Sequence, residues 1–230
     1  MNNEIPMFDK SGLNILDPND NKGYKSHYIT LVQGNALTEH LPEGNQEFAM
    51  DIGCGYGRLS GFLQIKGWRV MGIDPDPKLI QIAKNNSENI AFTVGALPNL
   101  PVPEESTGLI MLHNVLRSLK LLGTFESVQG ISKYLKRNGN LVVIENIYPK
   151  NDNYVDEKVM IETFNKEGLS MTKKQMIRLG RWWLLYLIRY GLIPSNWFDA
   201  IAQHEKSKIS KMSKPPFYCY VNTLYTFKKL

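Results

Sequence analysis

Cysteine is scarce in this chain: Cys54 and Cys219, far apart, are the only two in 230 residues. So few excludes a disulfide scaffold and fits a reducing compartment, and a cytoplasmic location is expected. Long apolar runs are missing too. The longest strongly apolar stretch, Trp182 to Ile188, is seven residues bracketed by Arg181 and Arg189, far short of the roughly 20 that cross a bilayer. Met1 to Lys10 carries Glu4 and Asp9 and lacks the basic start and apolar core of a secretory signal, so no export is expected. The histidines His27, His40, His113 and His204 show no metal-ligand spacing, and no metal is expected. The sequence also has no internal repeat, no low-complexity tract and no linker long enough to divide it into domains.

What is present suits one globular core, with 43% hydrophobic and 21% charged residues. The net charge of +5 is unevenly placed: residues 1–150 sum to −1 and residues 151–230 to +6. Within 173–214, nine basic residues face two acidic ones, Asp199 and Glu205. An acidic partner would bind there.

From Glu47 onward, short apolar runs alternate with stretches of helical period. Strands are predicted at 48–52, 69–73, 90–94, 109–112 and 141–145, with helices at 59–65, 79–83, about 124–135 and about 155–164. Such alternation builds right-handed βαβ units, so the fold class is α/β, a doubly wound and mostly parallel sheet. Before this core, Lys25 to Leu41 reads as a helix, with Tyr24, His27, Tyr28 and Leu31 on one face. After it, Lys174 to Ile193 reads as an aromatic and basic helix ended by Pro194. A further helix is predicted from Asn196 to about Lys211, and a terminal strand from Phe217 to Phe227.

One segment carries chemistry. Phe48-Ala-Met-Asp51-Ile-Gly53-Cys54-Gly55-Tyr56-Gly57-Arg58 puts a carboxylate at a strand end, then three alternate glycines, then a helix. Glycines are needed where the backbone must turn tightly and come within contact distance of a ligand. The dinucleotide fingerprint fits poorly, because its third glycine falls on Arg58. Asp51 would repel a pyrophosphate and attract an ammonium or sulfonium group. The second strand ends in Asp74-Pro75-Asp76, where a carboxylate can accept both hydroxyls of a ribose. A purely structural turn and a different nucleotide ligand are the alternatives for this segment.

A cation-friendly glycine turn followed by a ribose-binding acid resembles the class I S-adenosylmethionine-dependent methyltransferases. The resemblance covers about residues 45–150. It includes the loop Gly95-Ala-Leu-Pro-Asn-Leu100-Pro101, the fourth strand Leu109 to Asn114, and the turn Leu135 to Leu141 into a fifth strand. It implies a Rossmann-like fold, with S-adenosyl-L-methionine as cofactor and S-adenosyl-L-homocysteine as its product. Asp51, Gly53, Cys54, Gly55 and Gly57 would hold the methionine moiety, and Asp74 and Pro75 the ribose. Ala96 and Leu97 would flank the adenine, and His113 would face the methyl. The chain departs from the family in having Ala96 where an acid often receives the adenine amino group, Gly108 where an Asp often starts the fourth strand, and Arg117-Ser118 where a His pair often stands.

A single domain is expected: a helical lid at 1–45, the cofactor-binding core at 46–173, a helical cap at 174–215 and the terminal strand at 216–230. His113 and His27 are the candidate bases for an acceptor that needs deprotonation. Tyr24, Tyr28, Asn146, Arg178 and Trp182 are the candidate acceptor contacts. Neither cysteine lies beyond the fourth strand, where cytosine carbon methylation needs one, and no acidic or amide residue followed by two prolines follows that strand. The expected reaction is methyl transfer to oxygen or nitrogen of a small-molecule, glycan or lipid-like acceptor. The alternatives are a catalytically silent binding scaffold and an RNA ribose or protein methyltransferase. Trp182, Trp183, Tyr186 and Tyr190 among Arg178, Arg181 and Arg189 on one helix would suit an anionic amphiphile or a membrane surface, with nucleic acid ranked after these.

Overall fold

Strands that read as unbroken apolar runs are buried on both faces, as parallel strands under two helical layers must be. In the computed structural model, which describes residues 19–149, 151–212, 216 and 218–230, β1 (Phe48–Ile52) and β4 (Thr107–His113) are of this kind. The chain runs α1 (Tyr24–His40), β1, α2 (Ser60–Ile65), β2 (Arg69–Asp74), α3 (Pro77–Asn86), β3 (Ala91–Val94), β4 and α4 (Val115–Leu121). It continues with β5 (Leu135–Ile147), α5 (Glu157–Lys166), β6 (Leu169–Leu179), α6 (Trp183–Arg189), α7 (Phe198–Ser210) and β7 (Val221–Lys229).

The seven strands form one sheet in the order β3-β2-β1-β4-β5-β7-β6. The first five are mutually parallel, and β7 lies antiparallel between β5 and β6. One face packs Leu116 of α4 and Met160 and Phe164 of α5 against Met50, Ile110 and Val143. The other packs Leu37 of α1, Leu63 of α2 and Ala83 of α3 against Ala49, Met111 and Ile144. A third cluster joins Tyr28 and Val32 of α1 to Leu185 of α6, Phe198 of α7 and Val221 of β7. Strand order reverses between β1 and β4, which opens a crevice beyond the carboxyl ends of those strands, where α/β sheets bind ligands. Among the described residues no helix is long and apolar enough to cross a membrane.

Several expected elements are corrected. Lys174 to Leu179 belongs to strand β6, and the helix in this region is only Trp183–Arg189. The apolar β7 pairs with β6 from Leu169 to Leu179, and that pairing decides the segment's conformation over its local period. Gly180 then ends the strand, because a Cβ there would lie 2.5 Å from the Tyr220 ring. The expected boundary between core and cap at 173/174 therefore cuts a sheet strand, and Arg178 stands in that strand, buried, away from the aromatic residues of α6. The helix expected at 124–135 is two 3-10 turns, Phe125–Val128 and Ile131–Tyr134, separated by Gly130 at φ 79°. The regular helix is α4, just before them. The terminal strand starts at Val221; Phe217, where it was expected, lies outside the described residues, as do 1–18 of the expected lid.

Candidate functional site

Three glycines shape the turn after β1, and all sit in the left-handed region, with φ of 70° at Gly53, 57° at Gly55 and 82° at Gly57. Gly53 and Gly57 are also hemmed in. A Cβ at Gly53 would lie 2.5 Å from Val115 Cγ2, and one at Gly57 2.8 Å from the Phe92 ring. A Cβ at Gly55 would meet no atom within 4 Å, so this middle glycine faces open space. The turn is tied to β2: Gly53 and Cys54 donate to the Ile73 carbonyl at 2.7 and 3.1 Å, and Gly55 donates to Asp74 Oδ2 at 2.8 Å. Asp74 Oδ1 accepts from the Asp76 amide at 2.9 Å, and Pro75 forms the link between them. Asp76 caps α3 by accepting from Lys78, with Pro77 in the first turn.

Asp51 is fully buried at the end of β1 and accepts from Ser60 Oγ at 2.6 Å. Burial pushes its carboxyl up to about 7, against the lowering by Ser60's hydrogen bond and the Arg58 charge, with Asp74 adding to the rise. No cation lies within ion-pair distance of it among the described residues. Cys54 is buried in the same turn, where burial pushes its thiol up and leaves it an inert filler. Ala96 to Asn99 close a small loop by an isolated bridge, with Ala96 exposed and Leu97 partly so.

His113, at the carboxyl end of β4, is the hub of a polar cluster. Its Nε2 lies 3.1 Å from Gln33 Nε2, 3.2 Å from Asn114 Nδ2 and 3.4 Å from an Arg58 guanidinium nitrogen. All three neighbours can only donate, so Nε2 is the unprotonated, accepting nitrogen. Burial, with Arg58 and Arg178 adding positive charge, holds the imidazole well below its usual value. His113 is therefore a neutral imidazole with its Nε2 lone pair facing these donors, the form a base requires, though with a lowered proton affinity. A closed ring of hydrogen bonds runs from Gln33 to Asn222 Oδ1 (2.8 Å), from Asn222 to Asn146 Oδ1 (3.0 Å), from Asn146 to Asn114 Oδ1 (3.1 Å), and from Asn114 back to His113. Sheet register builds it: Asn222 of β7 pairs with Asn146 of β5 on one side and Arg178 of β6 on the other, so the three side chains share the face that α1 covers.

Of the candidate acceptor contacts, Asn146 and Arg178 join this cluster. The others do not. Tyr28 is fully buried and donates to Glu205 Oε2 at 2.7 Å in the third core cluster. Trp182 is buried with its ring stacked on His204 at 6.2 Å, and Tyr24 lies against Gly191. His27 sits on the Phe198 ring at 5.5 Å, beside Asp199, and burial lowers its pKa. Tyr28 and Trp182 serve the packing of α1, α6 and α7, while Tyr24 and His27 are exposed on α1. The residues sequence reasoning missed are Arg58, Gln33, Asn222 and Glu145. Arg58 donates to Thr30 Oγ1 at 3.0 Å, besides meeting His113. Glu145 is buried, accepts from the Arg117 and Asn146 amides at 3.2 and 3.1 Å, and is pushed up to about 7 by burial. The available signal was a polar residue interrupting a buried run, as Gln33 does in Ile29–Leu37 and Asn222 in Val221–Phe227. Among the described residues no group of three or more His, Cys, Asp or Glu could hold a metal ion.

Residues 50–143 match a family model described as a methyltransferase domain. An uncharacterised methyltransferase, YodH of Bacillus subtilis, is 29% identical over 143 residues, which are 60% of each chain. A demethylmenaquinone methyltransferase of Tropheryma whipplei is 31% identical over 106 residues, 45% of this chain and 44% of that one. The chain thus spans about half the length of the curated relatives it matches. Among solved structures, the geranyl diphosphate C-methyltransferase of Streptomyces coelicolor superposes with a TM-score of 0.65 at 14% identity, over 98% of this chain and 90% of that one. The [4+2]-cyclase SpnF superposes with a TM-score of 0.61 at 16% identity, over 86% and 79% of the two chains.

Proposed function

We propose that this chain, whose residues 50–143 are a methyltransferase domain of the class I S-adenosylmethionine-dependent kind, transfers a methyl group from S-adenosyl-L-methionine to a small organic acceptor. The observation that carries the reading is the open Gly55 between two strand-end carboxylates, one of which, Asp51, is buried with no cation within ion-pair distance among the described residues. A ligand can approach the backbone at Gly55, and a cationic one would relieve Asp51. Asp74 already accepts two amides, yet each oxygen keeps a lone pair for a ribose hydroxyl. Asp51 and the glycine turn would thus hold the methionine moiety, Asp74 the ribose, and Ala96 and Leu97 the adenine edge. Bound there, the cofactor supplies a methyl group made electrophilic by its sulfonium. The chain's own contribution is to align the acceptor and keep water away. His113, neutral with an unprotonated Nε2, would position the acceptor or take its proton where the acceptor needs deprotonation.

The similar proteins include enzymes named as C-methyltransferases. The expectation of an oxygen or nitrogen acceptor is therefore widened to carbon. A second reading, a different reaction or a silent scaffold on this fold, draws on the similarity to SpnF and on the neutral His113. Calorimetry separates the readings at the cofactor: S-adenosylhomocysteine binds, NAD does not, and Asp74→Ala weakens binding by roughly 1.5 to 3 kcal/mol. Binding of NAD alone sinks the proposal. Transfer of a carbon-13 methyl label, read by the methyl chemical shift of the product, then identifies the acceptor atom.

A further inference from the structure

Two arginines, Arg58 and Arg178, add positive charge at His113 of the polar ring. Arg58, 6% exposed, and Arg178, 3% exposed, are both buried, and no carboxylate lies within 4 Å of either guanidinium among the described residues. Arg58 donates to Thr30 Oγ1 and lies 3.4 Å from His113 Nε2. Arg178 donates to the Leu179 carbonyl at 2.9 Å and to the Tyr220 hydroxyl at 3.3 Å, while its Nε is buried with no partner. Burial pushes the Arg58 guanidinium down to about 10, against the opposing effects of Tyr56 and Asp51 and with the Arg178 charge adding a smaller push, and burial with both arginine charges holds His113 low. The nearest acids are committed elsewhere: Asp51 to Ser60, and Glu205 to Tyr28 Oη and the Leu179 amide. A buried cation is costly unless paired, and two beside each other are costlier.

We infer that this cluster is an acceptor subsite for an anionic oxygen group, a carboxylate or a phosphate, seated between Arg58 and Arg178. The inference deepens the methyltransferase reading and rests on it only in assigning the anion to the acceptor. Arg58 follows Gly57 directly, so the anion would be held beside the glycine turn. His113, Asn114, Asn146 and Tyr220 are partly exposed, which leaves a way in from solvent. Tyr220 stacks on Tyr154 at 5.6 Å, and the Arg117 guanidinium lies 4.4 Å from the Tyr154 ring centre, giving an organic body an aromatic wall next to the anion. Gln33 Oε1, buried without a partner, would accept from a hydroxyl or amine of the same ligand.

The test uses the full chain and three probes: inorganic phosphate, pyrophosphate and benzoate. Calorimetry and the Nε–H signals of the arginines in a nitrogen-15 spectrum are followed with and without S-adenosylhomocysteine. At least one probe is expected to bind and to shift two buried arginine signals, and the effective probe tells phosphate from carboxylate. Arg178→Gln should lower that affinity by roughly 30-fold or more, while S-adenosylhomocysteine affinity stays within about threefold, a change under 1 kcal/mol. Should the variant not fold, the spectrum of the unaltered protein decides alone. Absence of any probe-induced shift while S-adenosylhomocysteine binds overturns the anion subsite and leaves the methyltransferase reading intact. Anion binding without S-adenosylhomocysteine binding does the reverse. Equal probe affinity in the folded variant places the anion elsewhere and also overturns it.

Discussion

Asp51 is buried and His113 half-buried near Arg58, and desolvation moves their proton affinities in opposite directions. The folded chain keeps the Asp51 proton up to about pH 7, whereas the unfolded chain loses it near about 4. Between those limits the folded state binds more protons, so this share of stability is present in acid and is lost as pH rises through about 7. Glu145 acts in the same sense. His113, held low, acts oppositely: the unfolded chain takes up its proton below about pH 6.5, and stability falls with it. Asp51→Asn isolates the first contribution. Its melting temperature should fall less between about pH 5 and about pH 8 than that of the unaltered protein; parallel curves would contradict the assignment. Gly55→Ala separates backbone from ligand. Its Cβ meets nothing, so stability drops by roughly 1 to 2 kcal/mol from the left-handed backbone, while S-adenosylhomocysteine affinity falls about tenfold or more beyond that. Affinity that merely tracks stability would show that no ligand approaches Gly55. Asp51, the glycines and Asp74 were legible in the sequence because a left-handed turn at a strand end is a local demand. Gln33 and Asn222 were not, since their hydrogen bond spans 189 positions and exists only once β7 is in register.

Among the elements, β6 and α6 show where local pattern misleads. Lys173, Lys174 and Gln175 sit in an edge strand, where lysines discourage further pairing. A run with methionines and leucines around them carries a helical period equally well, and β7 settles the choice. At the start of α6, adjacent tryptophans take opposite environments, as one helix face requires. Trp182, just before it, is buried, while Trp183 is 64% exposed, with Tyr186 and Tyr190 also exposed. Urea unfolding should show Trp182→Ala costing roughly 3 to 5 kcal/mol and Trp183→Ala under about 0.5 kcal/mol. Similar losses at both would mean that the exposed face of α6 is covered. That face, beside exposed Arg181, is what remains of the expected membrane-surface contact now that Arg178 is inside.

For the whole molecule, charge counted along the chain differs from charge in space. The basic excess after residue 150 is partly answered by acids earlier in the chain: Lys206 meets Glu39 at 2.5 Å and Lys229 meets Glu105 at 3.3 Å. These exposed pairs add little stability, yet they neutralise the surface that sequence counting made strongly positive. Among the described residues the buried arginines Arg58 and Arg178 have no carboxylate within ion-pair distance, although Asp51 and Glu205 sense their charges. The α/β class and the parallel core were legible because strand-helix alternation is itself the topology; the insertion of β7 between β5 and β6 was not, because no local signal sets strand order. The methyltransferase reading depends on S-adenosylmethionine occupying the crevice where strand order reverses between β1 and β4, and a crystal structure of the chain grown with S-adenosylhomocysteine examines that occupancy without intermediaries. Such a structure should have the ribose hydroxyls on Asp74, the amino-acid portion over Gly55 near Asp51, and the sulfur side turned toward His113 and its ring of amides. Ligand density elsewhere, or a clear glycine turn with none at saturating concentration, would contradict this placement.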